Sequence, residues 1–237
     1  MPSLFLAFLL SSSFTATAPT RYKLSVDPAL VANAAVIAAA ASAEGPSAAA
    51  SANAELSSEE IARLLDKRRK IGKVHQWLGI STWIAMTAAT VFGTIQYRNL
   101  YGFFSPLEST PCVEGRAIFG QDACIGRPVA HTATVGVAGA LYFTTFGLSF
   151  AMPDPIGLDE GDSKAARRLR QHKRLRWAHL SGMAAQILLG IIAANGDSFG
   201  LSRSENYRGL QGLATAHLLT GIATYATLTW SGAIMLK

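Results

Sequence analysis

Arg176-Trp-Ala-His179-Leu-Ser-Gly182-Met-Ala-Ala-Gln186, running on to Asn195, decides how this chain folds. No charged residue occurs between positions 177 and 196. A helix of about 20 such residues crosses the hydrocarbon core of a bilayer. Three further runs, 74–97, 128–153 and 209–236, are equally free of Asp, Glu, Lys and Arg. Four in succession imply an all-α protein, a membrane four-helix bundle running up and down, because lipid demands that every backbone group be paired internally. Barrel strands would be shorter and would alternate in polarity. Half of the 237 residues are apolar and the mean hydropathy is positive, which together are more apolar than an ordinary soluble domain.

The net charge of +6 does not call for nucleic acid, because its placement follows the rule that basic loops stay on the cytoplasmic side. One cluster, Arg63, Lys67, Arg68, Arg69, Lys70 and Lys73, precedes the first run. A second, Lys164, Arg167, Arg168, Arg170, Lys173, Arg174 and Arg176, lies between the second and third. The other connections carry only Arg98, Arg116, Arg127, Arg203 and Arg208, diluted by acids. Runs one and three are therefore expected to point outward and runs two and four to return. The expected location is a multi-pass position in the cell (inner) membrane.

Residues 1–18 hold an apolar core, Leu4 to Leu10, and the small-residue site Ala16-Thr17-Ala18, as in a secretory signal. No Lys or Arg precedes that core, and Pro19 follows the site. Two readings stay open: a cleaved signal with Ala29–Ala43 as a weak extra span, or a retained anchor with Arg21 and Lys23 inside. Residues 19–56 read as an Ala-rich linker or that weak span. Residues 57–72 begin with Ser57-Ser58-Glu59-Glu60, a helix start, and should form an amphipathic helix on the cytoplasmic side running into the four-helix transmembrane domain, 73–237.

Both cysteines, Cys112 and Cys124, fall in the first outer connection. An extracytoplasmic position favours a disulfide between them. No CxxCH haem-attachment motif is present, and two cysteines without a nearby histidine make a poor zinc site. The inner connection 154–176 ends strongly basic, and His172 within it is expected to be exposed. No repeat, phosphate loop, dinucleotide fingerprint, nucleophile elbow or paired carboxylates occur in the spans.

Four of the five histidines fall one per run. Ionisable residues inside membrane spans are costly and usually functional. His75 lies two residues past Lys73 and His179 three past Arg176, so both sit near the inner face. His131 lies four past Arg127 and His217 nine past Arg208, nearer the outer face. In an up-down bundle each pair belongs to diagonal helices, and bundle cores hold cofactors on facing helices. Two imidazoles per level leave a zinc ion short of ligands. A haem supplies four nitrogens itself and needs only two axial ones, for which imidazole is standard. Two b-type haems, roughly 20–25 Å apart at ~1.5 Å rise per residue, are the expected cofactors. Gly79, Gly136, Gly139, Gly182 and Gly221 are candidates for clearance beside them. Arg127 and Arg208, with Arg203, are candidate propionate partners.

His75-Gln-Trp-Leu-Gly79, His131, His179-Leu-Ser-Gly182 with Gln186, and Arg208 with His217 and Gly221 resemble the cytochrome b561 superfamily. The resemblance covers about 73–236 and is closest to the form joined to extracytoplasmic modules. It implies four haem-ligating histidines in a four-helix core that carries electrons across the membrane, often as a ferric or monodehydroascorbate reductase. The family's flanking helices are not evident. The expected partners are membrane lipid and a small-molecule or protein electron donor and acceptor, with no nucleic acid and a homodimer left open. Rival readings are a quinol-linked cytochrome b subunit and a haem-free scaffold or small transporter.

Overall fold

A computed structural model describes residues 56–125 and 128–236. The expected signal or anchor, all of the 19–56 segment but Leu56, and Arg127 lie outside the described residues. Among the described residues there are four α-helices and no strand: α1 Ser58–Tyr101, α2 Val129–Leu148, α3 Lys164–Ala194 and α4 Tyr207–Ala233. Short 3-10 turns at Leu107–Ser109, Gln121–Cys124 and Gly196–Phe199 lie in the connections. Two helices, α1 and α3, are long and apolar enough to cross a membrane. With 20 and 27 residues, α2 and α4 have the length of a span.

The helix ends follow local chemistry. Ser57 Oγ accepts from the Glu60 N–H at 3.2 Å, and Glu59 and Glu60 meet the positive end of the helix dipole. The 44 residues of α1 span about 66 Å at 1.5 Å per residue, more than twice the hydrocarbon core. The 57–72 segment is therefore the first part of α1, continuous with the apolar run. Asp66 there is ion-paired with Arg69 at 2.5 Å and Lys70 at 2.8 Å. Hydrogen bonds from Lys70 and Arg69 hold its carboxyl below the usual range. Helix α1 ends at Gly102, whose φ is +53° and where a Cβ would lie 2.6 Å from Ser105 Oγ, so only glycine turns the chain there.

Ser163 caps α3 by accepting from the Ala166 N–H at 3.1 Å. This corrects the expectation of a loop reaching Arg176. Lys, Arg, Leu and Ala are strong helix formers, and behind a capping serine they wind the whole basic segment into α3.

The described residues fall into two compact units. The first combines residues 56–82 of the chain with 139–157. In it Arg68 donates to the Pro153 carbonyl at 2.7 Å, and Thr82 Oγ1 meets Thr145 Oγ1 at 3.3 Å. The second holds the remainder of α1 and α2 with all of α3 and α4. Within it α3 and α4 pack closely: a Cβ on Gly182 would lie 2.3 Å from Thr224 Oγ1, and one on Gly221 would lie 3.0 Å from Gln186 Oε1. These two glycines, expected to clear space for a macrocycle, instead let the helices approach.

Large apolar side chains lie on the surface: Trp77, Ile84, Val137, Leu219 and Trp230 are each more than half exposed. Thr82, Gln211, Thr224 and Ser231 are buried together with apolar residues such as Met86, Met183 and Ile187. An apolar surface of this extent suits a lipid surround.

Beyond α1 the connection is tied down by Asn99, which is fully buried. Its Nδ2 donates to the Ile118 carbonyl at 2.9 Å and its Oδ1 accepts from the Ile118 N–H at 3.0 Å. Cys112 and Cys124 form a disulfide in this connection. Tyr97, Tyr101, Tyr207 and Leu210 cluster beside it, with Gln211 Nε2 donating to the carbonyls of Tyr101 at 3.2 Å and Ser105 at 3.0 Å. Replacing Asn99 by Ala strands the two Ile118 groups, each costing about 1–3 kcal/mol. Asn99→Ala should therefore lower the thermal midpoint of the detergent-solubilised protein and speed reduction of the disulfide by dithiothreitol. An unchanged midpoint and reduction rate would show that Asn99 does not hold the loop.

Candidate metal-ligand site

His131 stands in the first turn of α2 and His217 three turns into α4. Within the second unit their rings meet, with centroids 6.2 Å apart and planes at 79°. Each ring is fixed from behind by a backbone carbonyl. His131 Nδ1 lies 3.0 Å from the Ala89 carbonyl on α1, and His217 Nδ1 lies 2.8 Å from the Gln186 carbonyl on α3. A carbonyl only accepts, so Nδ1 carries the hydrogen. Nε2 then keeps its lone pair, the state in which imidazole binds a metal.

Glycine admits both rings to the helices behind them. A Cβ on Gly93 would sit 2.8 Å from His131 Cε1, and one on Gly190 would sit 2.9 Å from His217 Cε1. Neither glycine was singled out among the expected clearance residues. Their signal is positional: each lies four residues past the carbonyl that receives the histidine, one helical turn away. Of the glycines that were expected to clear space, Gly79 makes an ordinary contact with Thr145 Cγ2 at 3.9 Å, and Gly136 has nothing within 4 Å.

His75 belongs to the first unit, and its Nδ1 lies 3.0 Å from the Thr145 carbonyl. His179 is buried on α3 in the second unit; the structure does not bring it beside the His131–His217 pair. His172 is not the exposed loop residue expected from its basic neighbours. It lies on α3, half-buried, with Nδ1 2.9 Å from the Ser231 carbonyl on α4 and 3.0 Å from Ser231 Oγ.

Of the expected propionate partners, Arg208 Nη1 donates to Gln211 Oε1 at 2.9 Å, and Arg203 Nη2 donates to the Leu100 carbonyl at 2.6 Å. Arg127 is outside the described residues. Arg98 on α1 has spare capacity. Its Nη1 is buried and has no hydrogen-bond partner among the described residues. It lies five residues beyond Gly93 on α1, about 7.5 Å further along the helix.

Among the described residues no three His, Cys, Asp or Glu side chains gather in one place, so a metal held by protein ligands alone would be short of them. No protein-family model, curated protein or solved structure matches the chain. The resemblance to the cytochrome b561 superfamily rests on the sequence motifs.

Overpacking a tight contact costs about 1–3 kcal/mol, so Gly93→Ala and Gly190→Ala should each lower the thermal midpoint. Gly136→Ala, free of neighbours and favoured by helix propensity, should leave it unchanged or raise it. Equal midpoints for all three variants would mean that the imidazoles do not rest on the two glycines.

Proposed function

We propose that this chain is a membrane-embedded b-type cytochrome, four helices running up and down around two haems, that carries electrons from one membrane face to the other. One observation carries the reading: the paired rings of His131 and His217. An iron bound by both Nε2 atoms, with metal–imidazole bonds of about 2 Å, would suit the spacing of this pair, 6.2 Å between ring centroids. The fixed Nδ1–H tautomers favour ligation through both Nε2 atoms. The buried, unpartnered Arg98 Nη1 suits an anionic propionate. The donor set therefore fits a haem.

A bound haem supplies reversible one-electron chemistry. The chain's own residues do the rest. The Ala89 and Gln186 carbonyls hold the imidazoles in orientation, and Gly93 and Gly190 set their distance from the helices. The tyrosine cluster and the disulfide-bonded connection close the adjoining end against water. As the family resemblance implies, the second haem takes His75 and His179, with the basic segments on the cytoplasmic side. Reduction of ferric iron or a small organic acceptor is the activity that the family resemblance suggests.

The test uses the purified full chain in sealed vesicles, with ascorbate outside and ferricyanide trapped inside. Wild-type protein should reduce the trapped acceptor, and His131→Ala and His217→Ala should both abolish the transfer. Both variants should also lose the same one of the two haems, read in the visible redox spectrum. Undiminished transfer by either variant would overturn the assignment.

A further inference from the structure

We infer that the basic end of α3 binds an anionic phospholipid: Arg170 and Arg174, with the Gln171 amide beside them, hold its phosphate, and its acyl chains run along the apolar face that continues from them. The inference rests on α3 crossing the membrane and not on the haems. Every residue it uses lies on α3, inside the second unit.

The site is a cleft of about 410 Å³ lined by Arg167, Arg170, Gln171 and Arg174. Steps of three and four residues stack these side chains on one face of the helix. Their charge is not cancelled. Lys173 pairs with Asp159 at 2.8 Å, but none of the three arginines is ion-paired among the described residues. Arg170 Nη1 donates to the carbonyls of Asp159 and Gly161, and Arg167 Nη1 donates to that of Asp162. Carbonyls orient a guanidinium without neutralising it, and its other N–H groups stay available. Gln171 and Arg174 are exposed and make no side-chain hydrogen bond among the described residues. A guanidinium fork matches two oxygens of a phosphate, and the Gln171 amide adds a donor beside it.

Depth and the face below select a lipid. The charge-free run begins at Trp177, three residues past Arg174. Three residues are about 4.5 Å along a helix, and each headgroup layer is about 5–7 Å deep. Arg174 is thus level with the lipid headgroups, and Gln171 and Arg170 lie one turn further out with side chains long enough to share a phosphate. Toward the bilayer the same face continues as Ala178, Ser181, Ala185 and Leu188. Leu188 is half-exposed, as is Trp177 at the junction, where an amphipathic ring settles in a membrane. The buried residues of this stretch, His179, Met183 and Ile187, lie on the opposite side of the helix. One unpacked face therefore carries cations above and apolar surface below, the complement of a phospholipid. A free anion would use only the upper half, and an acidic protein would not follow the face into the bilayer.

The test mixes purified full-length protein, in neutral detergent, with equal amounts of phosphatidylglycerol and phosphatidylcholine and identifies bound lipid by native mass spectrometry. Wild-type protein should take up phosphatidylglycerol first. Arg170→Gln and Arg174→Gln should each weaken that uptake roughly five-fold, the contribution of one arginine at an anionic membrane surface. Arg168→Gln removes the same charge from a residue outside the cleft and should leave uptake unchanged. Equal losses in all three variants, or equal uptake of the two lipids by wild-type protein, would overturn the site. So would displacement of the lipid by inorganic phosphate, which would make it a free-anion site. A second copy of the chain bound in place of lipid, and released by Arg174→Gln, would assign the face to self-association instead. Should a glutamine variant fail to fold, Arg174→Lys decides: it keeps the charge but loses the fork, so uptake should fall, and uptake equal to wild type contradicts the proposal. Protein that lacks haem yet keeps its preference for phosphatidylglycerol would refute the proposed function and leave the lipid site standing.

Discussion

A hydrogen bond from an imidazole Nδ1 to a backbone carbonyl is the contact on which the site depends. A histidine in an apolar bundle has two interchangeable nitrogens and a freely turning ring. Tying Nδ1 to a carbonyl fixes the ring's angle, its tautomer and the direction of the Nε2 lone pair at once. The carbonyls that do this in α1 and α3 belong to Ala89 and Gln186. A helical carbonyl already accepts one bond from its own helix, and its second lone pair is available to a side chain that comes close enough. Closeness is the difficult part, and Gly93 and Gly190 provide it. The site therefore rests on four backbone features before any side-chain chemistry is considered.

The surroundings suit that arrangement. Large apolar side chains face outward, while Thr82, Thr224, Ser231 and Gln211 are buried. Many threonines return their hydroxyl to the carbonyl four residues back, as Thr224 does to Thr220 at 2.7 Å and Thr94 to Thr90 at 2.8 Å. Such self-satisfied hydroxyls add little polarity and keep the helix surfaces slim, so that helices approach closely. At the disulfide end the tyrosines and Gln211 bond into the chain that leaves α1, which closes the adjoining connection over the helix ends.

Much of this was legible in the sequence because lipid imposes simple rules. Charge-free runs marked the helices, and the cysteine pair marked the disulfide. The single histidine in each run drew attention to His131 and His217, which the structure brings together. The basic segment before Arg176 reads as loop by its charge density, but Ser163 and the helix-forming residues behind it wind it into α3, and His172 with it. The carbonyl partners of the histidines are illegible for another reason. Ala89, Gln186, Thr145 and Ser231 have no residue type in common, because the acceptor is the backbone. In a chain with 21 glycines, Gly93 and Gly190 stand out only once the histidines are seen against them.

The most direct measurement is the haem content of the purified full-length protein from haem-replete cells, by visible absorption and by pyridine haemochrome against protein concentration. A dihaem b-type cytochrome should be red, with two non-covalent haems per chain, low-spin in both redox states and separable in a potentiometric titration. A colourless preparation that remains folded and helical would contradict the central claim and leave a haem-free membrane scaffold in its place.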